Sequence, residues 1–189
     1  MGGGDKCLRK LGGIPLLEHV IARLAPQVDA IAINVNGDAK RFNSYGQPVI
    51  SDSVIGYAGP LAGILAGLDW AAALGAAQIV TVAADTPFFP TNLVQKLSHK
   101  IDQNGLAMAM GSDKNPRFAR HPTFGIWPVA LREDLRNALA HDVRKVVQWS
   151  ARHNCVDVVF DDQGFDPFFN VNTPDDMAKA EQLYQEHCA

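Results

Sequence analysis

The chain has 189 residues, 47% of them apolar and 20% charged, with a net charge of −3. That is enough for one domain with a full core, and we read residues 1–189 as a single domain. No basic cluster offers the counterion release on which nucleic-acid binding depends, and no apolar run reaches the roughly 20 residues of a bilayer span. The three cysteines (Cys7, Cys155, Cys188) are scattered, which points to reduced thiols and the cytoplasm.

In chain order, the predicted elements alternate. Leu16, Leu17, Val20, Ile21 and Leu24 recur at helical spacing behind Pro15. A short strand covers 30–35, a polar helix or loop follows near 38–45, and Pro48–Asp52 is a second strand. Pro60 opens a long Ala/Leu/Gly helix to about Leu74. Residues 78–83 form a continuous apolar strand, of the kind buried on both faces. A helix over 92–101 and strands over 106–110 and 121–127 follow. Residues 111–120 read as a loop carrying Lys114 and Arg117. Helices are expected over 129–140 and 142–152, and a strand over 156–160. Thr173 is a good N-cap, with Pro174 next and acids in the first turn. Strands alternating with helices imply an α/β fold, a mostly parallel sheet covered on both faces.

The chemistry-bearing residues fall at strand ends, where open α/β sheets bind their ligands. The apolar run Val80–Ala84 stops at Asp85, and Pro87 follows. Asp85 either caps the turn or holds a hard cation such as Mg²⁺, which takes one or two carboxylates plus substrate phosphates. Asp52 ends its strand in the same way, so the two carboxylates are expected to converge on one crevice. Asn34, Asn36 and Gly37 follow another strand and suit either a turn or contacts to a base or ribose. Gly2-Gly3-Gly4-Asp5-Lys6 places a cation beside backbone that can approach a phosphate closely. The stretch from Gly56 to Gly63 leads into a helix whose N-terminus can attract anions, while Gly63 and Gly67, four apart, can serve helix–sheet packing. Asn170 and Asn172 alternate before a capped helix, so period two puts both on one face. Arg144 and Lys145 precede an apolar helical stretch. There is no trusted Ser-His-Asp ordering, zinc pattern or complete P-loop, which leaves metal-assisted transfer involving phosphates.

Taken together, Gly-Gly-x-Asp-Lys at 2–6, Leu11-Gly12-Gly13-Ile14-Pro15-Leu16, Asn34-Val35-Asn36, Ser51-Asp52 and Gly59-Pro60-Leu61-Ala62-Gly63-Ile64 make a series. It continues through Asp85-Thr86-Pro87-Phe88, His121-Pro122-Thr123 and Asn170-Val171-Asn172-Thr173-Pro174. In order and spacing this series resembles the molybdenum cofactor guanylyltransferase family. The resemblance implies a three-layer α/β/α Rossmann-like nucleotidyltransferase domain. It implies transfer of GMP from Mg-GTP to the terminal phosphate of molybdopterin, with release of pyrophosphate. By position, Lys6 resembles the lysine at the nucleotide phosphates, Asn34 and Asp52 the residues holding the guanosine part, and Asp85 the magnesium ligand. His121, Arg144, Lys145, Asn170 and Asn172 fall on the pterin side. Cofactor-insertion proteins and molybdoenzymes are the partners the resemblance implies.

That family carries an apolar strand, then Leu-Ala-Gly-Gly and an Arg-rich loop, ahead of the Met-Gly-Gly found here at 1–3. The expectation is an incomplete version of a longer chain, in which the choice of GTP over CTP rests on resemblance. A cytidylyl or sugar-phosphate transferase, a catalytically inactive nucleotide- or pterin-binding fragment, and a ligand-free structural subunit are the alternatives.

Overall fold

The computed structural model describes residues 6–54, 59–101, 105–111, 120–162 and 164–187. Regular structure starts with a hairpin that the sequence reading does not anticipate. Strands β1 (Lys10–Leu11) and β2 (Ile14–Pro15) pair antiparallel across Gly12 and Gly13. Both glycines have positive φ, 58° and 83°, as a two-residue hairpin turn requires.

Helix α1 (Leu16–Leu24) follows, and Leu16, Leu17, Val20 and Leu24 form its buried face. Strands β3 (Ile33–Asn34) and β4 (Val49–Ile50) pair in parallel. Helix α2 (Pro60–Ala73) is apolar nearly all round, because it lies between the sheet on one side and α4 on the other. Next come β5 (Gln78–Thr81), α3 (Leu93–Ser98), β6 (Ala107–Gly111) and β7 (Arg120–Pro128). The chain continues through α4 (Arg132–Ala140), α5 (Val146–Ser150), β8 (Val156–Phe160) and α6 (Pro174–His187). The expected helix over 142–152 is shorter because Asp142 turns at φ 61° and ends the run from α4. Most of the expected 111–120 loop lies outside the described residues.

Four strands form one sheet in the order β5-β7-β6-β8. β5, β6 and β8 share one direction, and β7 runs against them between β5 and β6. The reversal has a simple cause. Every other pair of successive strands from β3 onward has helical structure between it. The residues from β6 to β7 include none that the sequence predicts as helix, and parallel neighbours need a long crossover.

Two apolar layers sandwich the sheet. On one face α1 and α3 bring Val20, Leu24, Leu93 and Leu97 against Ala107, Phe124 and Ile126. On the other, α2, α4 and α5 bring Leu65, Leu68, Leu135 and Trp149 against Met108 and Trp127. Trp127 is fully buried, and its indole N–H donates to the Thr81 hydroxyl at 2.8 Å. Gly125 makes room for that ring: a Cβ there would lie 2.9 Å from the Ala107 carbonyl oxygen and collide with the Trp127 indole. Gly125→Ala should therefore cost about 1–3 kcal/mol as an overpacked core change. The check is a urea titration, expected to show a lower midpoint at an unchanged m-value.

Candidate functional site

Both faces of the sheet are covered, so its polar side chains gather at the strand ends, in two clusters. The first is built on Asp52, just past β4. Its two carboxylate oxygens accept from Asn34 Nδ2 at 3.0 Å and Asn36 Nδ2 at 2.6 Å. Asn34 and Asn36 both leave the end of β3, two residues apart, with buried Val35 between them. A carboxylate has about four lone-pair positions, so this one is oriented and still able to accept from ligand hydroxyls or N–H groups. Helix α2 closes on the cluster at Gly63, where a Cβ would stand 2.8 Å from Asn34 Nδ2 and 4.0 Å from Asp52 Oδ1.

The second cluster surrounds Asp85, which follows β5. Residues 170–172 run beside it, and the Val171 N–H donates to the Asp85 carbonyl at 2.9 Å. Val171 itself is buried in an apolar cluster with Leu11, Leu16 and Phe88, so its neighbours Asn170 and Asn172 are held at the exposed side. Asn170 hydrogen-bonds the Asp85 carboxylate, and Lys6 lies close enough to stabilise its charge. The Lys6 ammonium donates to Asn172 Oδ1 at 2.8 Å. Burial nevertheless pushes the Asp85 carboxyl above the usual carboxylate range, against its backbone hydrogen bond, Lys6 and Asn170. A carboxylate in that condition gains from a cation that favours its charged form. Among the described residues no three His, Cys, Asp or Glu converge. A hard cation here would be held by Asp85 together with ligand oxygens, which suits a divalent ion that arrives with phosphates.

The segment 170–172 is anchored from behind. Asp176 Oδ2 accepts from the N–H groups of Asn172 (3.0 Å) and Thr173 (2.8 Å), and the Asp176 N–H donates to Thr173 Oγ1 at 3.1 Å. These bonds hold the Asp176 carboxyl below its ordinary range.

His121 stacks on Phe168 with ring centroids 4.3 Å apart and meets Phe124 edge-on at 6.4 Å. Burial lowers its pKa, and the Asp166 charge opposes that shift.

One expectation changes: Asp52 and Asp85 do not follow paired strands, since β4 pairs with β3 and β5 with β7. Asp52 and Asp85 head separate clusters. Asn170, placed on the pterin side by the sequence, is on the Asp85 carboxylate, and Asn172 is on Lys6. Arg144 pairs with Asp142 at 2.7 Å, and Lys145 precedes α5. Both stand in the α4–α5 connection, apart from the bonds that join Lys6, Asp85, Asn170 and Asn172.

Three contributions go beyond the sequence reading. Asn36 is the second donor to Asp52, and the Asn-x-Asn alternation is the signal for it. Phe168 is the platform under His121. Asp69 on α2 accepts from Ser53 Oγ at 2.6 Å and from Arg136 Nη2 at 2.6 Å, tying the residue after Asp52 to α2 and α4. Nothing local marks that last set, since its members are 16 and 67 residues apart.

Fold and site together define an α/β protein whose carboxylate and amide side chains gather just past its strand ends. The chain belongs to the MobA-like NTP transferase domain family, which it matches over residues 1–156. A protein of Bradyrhizobium sp. named molybdenum cofactor guanylyltransferase is 48% identical over 188 residues, covering 97% of this chain and 86% of that one. One of the same name from Mesorhizobium japonicum is 44% identical over 190 residues, covering 98% and 90%. Among solved structures, the molybdopterin-guanine dinucleotide biosynthesis protein A of Archaeoglobus fulgidus superposes with a TM-score of 0.75 at 23% identity, covering 97% and 92%. A Thermus thermophilus 2-C-methyl-D-erythritol 4-phosphate cytidylyltransferase superposes at 0.69 and 18% identity, covering 97% and 96%. These two show the shared Rossmann-like nucleotidyltransferase fold.

Two outcomes follow from the site geometry. Alanine in a helix normally gains up to about 1 kcal/mol over glycine. At Gly63 the new methyl meets the Asn34 amide that holds Asp52, so Gly63→Ala should not raise Tm, and a calorimetric scan showing a clear rise would mean that Asn34 yields freely. The second concerns pH. The folded pKa of His121 is depressed below its unfolded value, so the unfolded chain takes the proton first. The contribution of neutral His121 is fully present above the ordinary histidine range and is lost as pH falls through that range. Urea titrations at pH 7.5 and pH 5 should show a smaller acid loss for His121→Phe than for the parent.

Proposed function

We propose that this chain transfers GMP from Mg-GTP to the terminal phosphate of molybdopterin, forming the guanine dinucleotide cofactor and releasing pyrophosphate. The observation that carries this is the Lys6–Asn172 and Asn170–Asp85 cluster at the end of β5, in a chain nearly half identical to proteins named for that reaction. The reaction breaks the bond from the α-phosphorus of GTP to its pyrophosphate. It makes a new bond from that phosphorus to an oxygen of the pterin phosphate. The acceptor is already an anion at neutral pH, so no general base is required.

Mg²⁺, when bound, supplies charge neutralisation across the phosphates. The chain's own residues do the rest. Asp85 holds the ion's place at the strand end, and Asn170 keeps its carboxylate aimed. Lys6, steadied by Asn172, offsets negative charge at the phosphates. Asp52, oriented by Asn34 and Asn36, accepts from donors of the guanosine part. His121, neutral on its Phe168 platform, offers a flat surface to the pterin. Arg144 and Lys145 serve the pterin phosphate from the α4–α5 connection. Among the described residues no helix is long and apolar enough to cross a membrane. We place the reaction in the cytoplasm, with cofactor-insertion proteins and molybdoenzymes receiving the product.

The test is a calorimetric titration of the chain with GTP and with CTP, each with and without Mg²⁺. Selective, Mg-dependent GTP binding is the expected result, and a preference for CTP overturns the guanylyl assignment. Asp85→Ala should lower Mg-dependent turnover by at least about a hundredfold, on the scale of removing one preorganised electrostatic group. Turnover kept by that variant would remove Asp85 from the metal's place.

A further inference from the structure

Beyond its cap at Asp176, helix α6 has no share in either carboxylate cluster, yet it grips the other end of the chain. Both Glu181 oxygens accept from the Gly12 N–H, at 3.1 and 3.3 Å, across 169 residues of sequence. Gly12 is the first turn residue of the β1–β2 hairpin, so its N–H points away from the ladder and needs a partner from outside. The Tyr184 ring lies against the same glycine: a Cβ at Gly12 would stand 3.0 Å from Tyr184 Cδ1 and collide with the ring edge. His19 on α1 meets Tyr184 edge-on at 5.3 Å, and its Nε2 donates to the Leu11 carbonyl at 2.9 Å.

The same two stretches of chain meet a second time at Lys6, whose ammonium donates to Asn172, two residues before Pro174 opens α6. Backbone bonds make each stretch one piece. In the first, the Arg9 N–H donates to the Lys6 carbonyl at 3.1 Å and the Leu16 N–H to the Arg9 carbonyl at 2.8 Å, which ties Lys6 to the base of the hairpin. In the second, the Asp176 carboxylate holds the Asn172 N–H at the start of α6. Glu181 and Asn172 are therefore two grips of one helix on one bonded unit.

The two grips are unequal. Lys6 has a flexible four-carbon stem, and a single exposed bond to Asn172 does not hold such a stem in one rotamer unless its backbone is already placed. Leu11 is buried in a cluster with Ala180 and Leu183, but apolar contact is non-directional and does not fix how the hairpin is turned on the helix. A carboxylate that takes the N–H at the hairpin tip does fix it, because a charge-assisted hydrogen bond is both strong and directional.

We propose that Glu181, with Tyr184 against Gly12, is a positioning residue for Lys6. It sets the turn of the hairpin on α6, and through the hairpin the place of the Lys6 ammonium beside Asn172 and Asp85. Its effect on nucleotide binding rests on the function proposed above; its effect on Lys6 does not.

A double-mutant cycle with Lys6→Ala tests it. Glu181→Ala should weaken Mg-GTP binding about tenfold by calorimetry and raise KM for GTP in step, and should weaken binding no further where Lys6 is already alanine. Glu181→Gln keeps an oxygen for the Gly12 N–H and should bind as the parent does. Alanine is the best helix former, so α6 itself tolerates the change. A merely structural contribution would lower the active fraction and leave KM where it was. Weakening of equal size with and without Lys6, or none in either, overturns the proposal.

A second readout needs no nucleotide. In the free protein an NOE should join the Lys6 ε-methylene to the Asn172 side chain, persist in Glu181→Gln and vanish in Glu181→Ala. An NOE that is missing from the parent, or that survives Glu181→Ala, overturns the proposal. If the parent binds no Mg-GTP while the NOE behaves as expected, the proposed function falls and the positioning role stands.

Discussion

A sheet pressed between two apolar helix layers leaves its side chains no room for polar chemistry except at the strand ends. The Asp52 and Asp85 clusters follow from that constraint. Trp127 and Trp149 fill one layer, and Phe89, Phe124 and Phe160 the other. Asn34, Asp52 and Asp85 each stand where a strand passes out of those layers. The polar residues are therefore brought together by where apolar runs stop, rather than by any local motif.

That is why part of the site could be read directly. A run such as Val80–Ala84 announces its own end, and the residue at that end must be polar and must find partners. Asp52 and Asn34 carry the same signal. The hairpin at Gly12 and Gly13 carries only a turn signal, two adjacent glycines between apolar residues, and its strands are too short to show a period, so it goes unread. What could not be read is set by contacts across long stretches of chain. Asn170 reaches Asp85 only because Val171 packs in a core shared with Leu11 and Phe88, and because Asp176 caps the helix just behind it. Alternation gave the shared face of Asn170 and Asn172, but nothing in it named the partner. The reversed β7 had a legible cause, the lack of any helical pattern in the sequence between β6 and β7, that strand-by-strand reading does not weigh.

The two carboxylate clusters also differ in how their charge is managed. Asp52 is steadied by two neutral amides that accompany it from the neighbouring strand. Asp85 is half-buried, and one lysine and one amide do not fully offset the loss of water around it. The first arrangement suits accepting from neutral donors of a nucleoside. The second favours a cation. Exchanging the two environments would reverse both preferences, because a well-satisfied carboxylate attracts a cation less and a desolvated one is a poor partner for neutral hydroxyls.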